Sequence, residues 1–120
     1  MYLAMKGEPA SSTELSEPMA IPKSMIVSIS VPLQKAGILR AQRGARGGFT
    51  LIRKPKEISL AEIIKMMEET TRINRCLEED RFCSRKATET CPIRRFYVKI
   101  QGWIDETFEN KTIASLLEDK

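Results

Sequence analysis

The chain has 120 residues, 20 Lys or Arg against 16 Asp or Glu, three cysteines and no histidine. This length buries a core without disulfide support, and an odd cysteine count with no secretory leader points to a reducing cytoplasm and free or metal-bound thiols. Lack of histidine removes the Ser-His, Cys-His and His-metal arrangements, and no apolar run approaches the roughly 18 to 20 residues of a membrane span, so neither an enzyme nor a membrane protein is expected.

The positive charge is uneven. Residues 1–56 carry nine Lys or Arg against three Glu, and residues 57–120 carry eleven against thirteen Asp or Glu. The first half is therefore the expected polyanion-binding half, with a solvated surface as the plainer reading. Glu68-Glu69 and Glu78-Glu79 are sequence neighbours that point apart on a helix, which argues against a catalytic carboxylate pair.

In chain order, MYLAMKG reads as the last turns of a helix closed by Gly7. Ser11, Ser12 or Thr13 then caps a short helix expected to stop near Pro18. A second helix has Pro22 at its first position, Ile26, Ile29 and Leu33 on one face, and Gly37 after its end. Pro32 predicts a kink or break near Ser30 or Val31, because an interior proline costs about 3 kcal/mol.

The period changes to two from Leu39, with Leu39, Ala41 and Arg43 on one face and then, after a glycine-rich turn, Phe49, Leu51 and Arg53, which is the pattern of a hairpin. Ser59 and Glu62 form a capping box for a helix with the stripe Leu60, Ile63, Ile64 and Met67. A charged loop holds Cys76, Cys83 and Cys91, in a spacing that matches no zinc finger. Pro92 opens a long helix on which Ile93, Phe96, Tyr97, Ile100, Trp103, Ile104 and Phe108 recur at three- and four-residue steps. Such a stripe is either core or a helix-to-helix dimer interface, and a chain this short leaves little to cover it. Thr112 caps a last short helix.

Helix, helix, turn, helix and a glycine-tipped hairpin is the order of a winged helix-turn-helix, whose second helix enters the major groove. Lys23, Ser24 and Ser28 are the exposed candidates to meet bases or phosphates, a surface-polar helix being the alternative. In the tip RGARGG, Arg43 and Arg46 flank glycines and are placed to reach a minor groove or its phosphates; a bland turn with solvated arginines is the competing reading.

The segment LQKAGILRAQRGARGGFTLIRKPKEISLAEIIKMME, the three cysteines and the helix CPIRRFYVKIQGWIDETF resemble the family of iron-sulfur winged-helix transcriptional regulators of the IscR and NsrR type, over about residues 3 to 118. The resemblance implies a mainly α fold with a small β-hairpin. Residues 1–56 form the winged helix-turn-helix, and residues 57–120 a linker helix, the cysteine loop (76–91) and a dimerisation helix, in one continuous domain. It further implies a cytoplasmic homodimer that binds double-stranded DNA as a repressor, without a small-molecule substrate. Cys76, Cys83 and Cys91 are then ligands of a 2Fe-2S or 4Fe-4S cluster sensing redox state, nitric oxide or iron-sulfur supply.

The cysteine spacing is looser than is usual in that family, and a histidine cannot be the fourth ligand. Glu8, Glu78, Glu79, Asp80 or Glu89 are the substitutes, or the position stays open. Two alternatives remain: direct thiol sensing, aided by Arg75, Arg81, Arg85 and Lys86 and without a cluster, or a dimerisation module of the same fold that does not bind DNA.

Overall fold

The structure, a computed structural model, describes residues 1–45 and 47–119. It opens with three helices: α1 (Tyr2–Lys6), α2 (Ser12–Met19) and α3 (Lys23–Lys35). Gly7, at φ 70°, ends α1 in the left-handed region. The Ser11 hydroxyl accepts from the Glu14 N–H at 3.1 Å and caps α2, while Lys6 pairs with Glu14 and holds α1 to it. Leu15 of α2 and Ile26 of α3 are buried together with Ala10 and Phe49, so the two helices form a packed helix-turn-helix pair.

Helix α2 stops near Pro18 as expected, ending at Met19 before Ala20 turns left-handed at φ 52°, whereas Pro22 and Pro32 act differently from expectation. Pro22 is the residue preceding α3 rather than its first helical residue. The helix then runs unbroken through Pro32, and the expected break near Ser30 is absent. Pro32 sits in the last turn, where it removes only the N–H that would meet the Ser28 carbonyl. The turn before it is reinforced, because the buried Ser30 hydroxyl donates to the Val27 carbonyl at 2.6 Å and accepts from Gln34 Nε2 at 3.1 Å.

Strands β1 (Leu39–Gln42) and β2 (Gly48–Leu51) form the expected antiparallel hairpin, with Leu39 opposite Leu51 and Ala41 opposite Phe49. Ala10 lines the other edge of β2, exchanging both backbone hydrogen bonds with Phe49 at 3.1 and 2.8 Å. This approach requires glycine at position 48: φ is 130°, and a Cβ there would lie 2.4 Å from the Ala10 carbonyl oxygen.

A 3-10 turn at Pro55–Glu57 leads to α4 (Leu60–Met67). Ser59 caps α4 by accepting from the Glu62 N–H at 3.1 Å, but the reciprocal arm of the capping box is not made, since the Glu62 carboxylate pairs with Arg53. A further 3-10 turn, Arg75–Leu77, opens the cysteine loop, which leads into α5 (Pro92–Asn110) and α6 (Ile113–Glu118). Thr112 and Ser115 complete a reciprocal cap on α6.

Ile113 returns to the base of the wing, where it packs with Ile38 and the fully buried Ile58, and its N–H donates to the Ile58 carbonyl at 3.0 Å. The fold is thus a mainly α winged helix with a long additional helix. Its radius of gyration is 18.3 Å, against about 14 Å for a compact domain of this length. The molecule measures 61 × 29 × 24 Å, so a substantial part of its apolar surface lies outside any single core.

Candidate DNA-reading surface and cysteine site

Helix α3 turns Ile26 and Ser30 inward, with Ile29 and Leu33 half-buried beside them. At 100° per residue this leaves Lys23, Ser24, Val27, Ser28, Val31 and Lys35 on one outward arc, and all six are exposed. The sequence candidates Lys23, Ser24 and Ser28 therefore share one accessible face. The helix contains no acidic residue, so nothing on it repels phosphate. It packs against β1, which carries the exposed Arg40 and leads to the exposed Arg43 at the tip. Arg46 lies outside the described residues.

The second site lies beyond the wing. Cys76, Cys83 and Cys91, spaced seven and eight residues apart along one loop, all line one cavity of about 360 Å³. The loop bends back twice through left-handed conformations at non-glycine residues, Arg81 at φ 51° and Lys86 at φ 53°. The N–H groups of Ala87 and Arg85 point at the Cys83 sulfur and, with the Arg85 charge, pull its thiol below the ordinary value against some desolvation. Cys91 caps α5, its sulfur accepting from the Arg94 N–H at 3.5 Å. A nineteen-residue helix thus presents its positive end to this thiol.

Cys76 stands in the 3-10 turn, its N–H directed at Asn74 Oδ1 at 3.4 Å and its carbonyl accepting from Arg94 Nε at 3.2 Å. Arg75 pairs with Asp80, which lowers that carboxyl to about 2, and its guanidinium also lies 5.3 Å from the Phe82 ring centroid. The donor set of three thiols under N–H groups and cations is of the type that holds iron-sulfur clusters. Yet among the described residues no three histidine, cysteine or acidic side chains are gathered closely enough to hold a metal ion. None of Glu8, Glu78, Glu79, Asp80 and Glu89 lines the cavity; Asp80 is taken by Arg75, Glu89 by Arg81 and Glu78 by Thr70.

Helix α5 divides the predicted dimer stripe in two. Ile93, Phe96 and Trp103 are exposed, at 60, 59 and 68 %, whereas Tyr97, Ile100, Ile104 and Phe108 are half-buried. Its most buried residue is one that sequence reasoning passed over. Gln101 accepts from the Ile73 N–H at 2.8 Å and donates to the Thr71 carbonyl at 2.9 Å and to Asp105 Oδ1 at 2.8 Å. Asp105 also binds Arg72 at 3.0 Å. An amide at helical spacing inside an apolar stripe was the available signal, and Arg94, three residues after Cys91, was another.

A winged helix whose third helix carries no acidic residue, beside a hairpin with exposed Arg40 and Arg43, has the build of a DNA-binding transcriptional regulator. The profile of the Rrf2 family, described as iron-dependent transcriptional regulators, matches residues 1–119, and the chain belongs to that family. A protein of Aquifex aeolicus named as an HTH-type transcriptional regulator is 26 % identical over 97 % of this chain and 81 % of its own length. Another of that name, slr0846 of Synechocystis, is 39 % identical over 52 % of this chain and 42 % of its own length.

Among solved structures, CymR of B. subtilis, a global cysteine regulator, superposes with a TM-score of 0.80 at 23 % identity, over 99 % of this chain and 87 % of its own. IscR of T. potens does so at 0.72 and 24 %, over 98 % and 76 %. At these identities the likeness establishes the fold. Members of the family are transcriptional regulators rather than enzymes. Among the described residues no helix is long and apolar enough to cross a membrane.

Proposed function

We propose that this regulator is a homodimeric repressor whose hold on its operator is set by the state of Cys76, Cys83 and Cys91, which carry an iron-sulfur cluster. What supports this reading is that all three thiols line one cavity at the positive end of α5, although as placed they are not gathered closely enough to hold a metal ion. A cluster bound there would supply a charge that changes on oxidation or on attack by nitric oxide; Cys76, Cys83 and Cys91 would hold it, with the Ala87 and Arg85 N–H groups facing the Cys83 sulfur and the Arg94 N–H facing the Cys91 sulfur.

The chain's own contacts carry the change outward. Arg94 ties the Cys76 turn to α5, Gln101 ties residues 71–73 to the same helix, and α4 packs against both α5 and the reading helix α3. Any rearrangement of the loop therefore bears on the first turns of α5 and, through α4, on α3. Dimerisation is supported by Ile93, Phe96, Ile100 and Trp103, which repeat at three- and four-residue steps along α5, the spacing of a two-helix seam. A second copy of the helix covers side chains that one copy leaves in water.

The test is anaerobic fluorescence anisotropy with duplex DNA, before and after oxidation. The reading expects binding that weakens steeply with salt, is reduced in Arg43→Ala, and shifts on oxidation in the wild type but not in Cys83→Ala. Failure to bind any duplex, or the same shift in both proteins, contradicts it. A second reading, direct thiol sensing without a cluster, is favoured by one observation: the lowered Cys83 thiol. Mass spectrometry separates the two, since direct sensing leaves oxidised Cys83 and needs no iron.

A further inference from the structure

We propose that α3 reads thymine, through its 5-methyl group, with Val27 and Val31. The proposal rests on the DNA-binding reading above and concerns what that helix selects. Both valines are exposed, at 50 and 46 %, on a helix whose inward positions are filled by Ile26, Ile29 and Leu33. They lie within the arc bounded by Lys23 and Ser28, with Lys35 also on it. Exposed β-branched apolar residues on the polar side of an amphipathic helix have no role in this chain's own core, and they are flanked by lysines with no acid on the element.

The middle of the face, between Lys23 at the start of α3 and Gln34 and Lys35 at its end, holds none of the side chains that discriminate the other bases in the major groove by bidentate hydrogen bonds. The helix carries no Arg, Asn, Asp or Glu; its one amide, Gln34, stands in the last turn with Nε2 donating to Ser30 Oγ at 3.1 Å, and the centre of the face is left to the two valines, whose apolar contact selects the thymine methyl. Val27 and Val31 are four residues apart, about 6 Å along the helix axis, which spans between one and two base steps of about 3.4 Å. Ser28 adds a polar point beside them: its hydroxyl donates to the Ser24 carbonyl at 3.0 Å, which leaves its oxygen free to accept from a base amino group. Lys23 and Lys35, the first and last residues of the helix, meet phosphate and position it without selecting sequence.

Deoxyuridine differs from thymidine only by that methyl, and this makes the test specific. A duplex enriched from a random library by the full chain is resynthesised with single thymines replaced by deoxyuridine, and binding is measured at fixed salt. Loss of one buried methyl is expected to weaken binding about four-fold at one or two positions in each half-site. The double variant Val27→Ala, Val31→Ala is expected to bind the thymine and uracil duplexes alike while keeping its salt dependence. Circular dichroism confirms that these surface changes leave the fold intact.

Uracil substitution without effect at every thymine, or an unchanged thymine preference in the double variant, overturns the proposal while leaving DNA binding in place. Enrichment of no duplex at all, with no salt-dependent binding, overturns both.

Discussion

Replacing Gln101 by leucine keeps the bulk of a buried side chain and deletes three hydrogen bonds. Two of the partners are backbone groups, the Ile73 N–H and the Thr71 carbonyl, in the segment that leads into the cysteine loop. A buried polar group left without a partner costs about 1–3 kcal/mol. Ile73 is 44 % exposed, so water rescues part of that loss, and the two orphaned groups together should cost about 2 kcal/mol. Urea denaturation measures the global term and hydrogen exchange at the Ile73 amide the local one. The Ile73 amide is expected to exchange roughly thirty-fold faster, the equivalent of that energy. Gln101→Glu retains an acceptor for Ile73 but loses both donations and sets a carboxylate beside Asp105, so it should protect the Ile73 amide while still lowering stability. Unchanged exchange in the leucine variant, with stability within about 0.5 kcal/mol of wild type, would refute the clamp.

Gly48→Ala forces a side chain into a left-handed backbone and onto the Ala10 carbonyl; the strain alone is about 1–3 kcal/mol, and thermal denaturation should show at least that loss with weakened DNA binding. Phe96→Glu puts a charge into the exposed stripe of α5, and sedimentation should find a folded monomer whose self-association is weakened by about 2 kcal/mol, roughly thirty-fold; a stable dimer contradicts the seam. The Asp80 carboxyl, held from 3.8 to about 2 by Arg75, should titrate in that range by NMR and return toward its ordinary value in Arg75→Gln. Because the folded carboxyl is depressed, the ordering that this pair lends to the loop is complete above 3.8 and lost as the pH falls toward about 2.

What was legible in the sequence was local. Gly7, Ser59 and Thr112, and the trio Ser11, Ser12 and Thr13 of which Ser11 is the cap, mark helix ends because caps act within one turn, and the hairpin followed from alternation around a glycine-rich turn. Pro32 misled because its local penalty is small beside the packing of α3 and falls in the final turn. The pairing of Ala10 with Phe49 left no pattern, since one residue has no period. The stripe on α5 was read as a single face, although seven residues are too many for one, and the inner side is centred on a glutamine whose value lies in backbone partners distant in sequence. For the cysteines, sequence showed proximity but not convergence. That depends on left-handed turns at Arg81 and Lys86, residue types that do not announce them.

The most direct test of the account is to purify the protein anaerobically and measure its visible absorption, iron and acid-labile sulfide, for wild type and for Cys83→Ala. The account predicts a coloured wild-type protein with matching iron and sulfide, and a Cys83→Ala protein that has lost both. A colourless wild-type protein free of iron and sulfide under those conditions contradicts the cluster and leaves direct thiol sensing to explain the cysteine cavity.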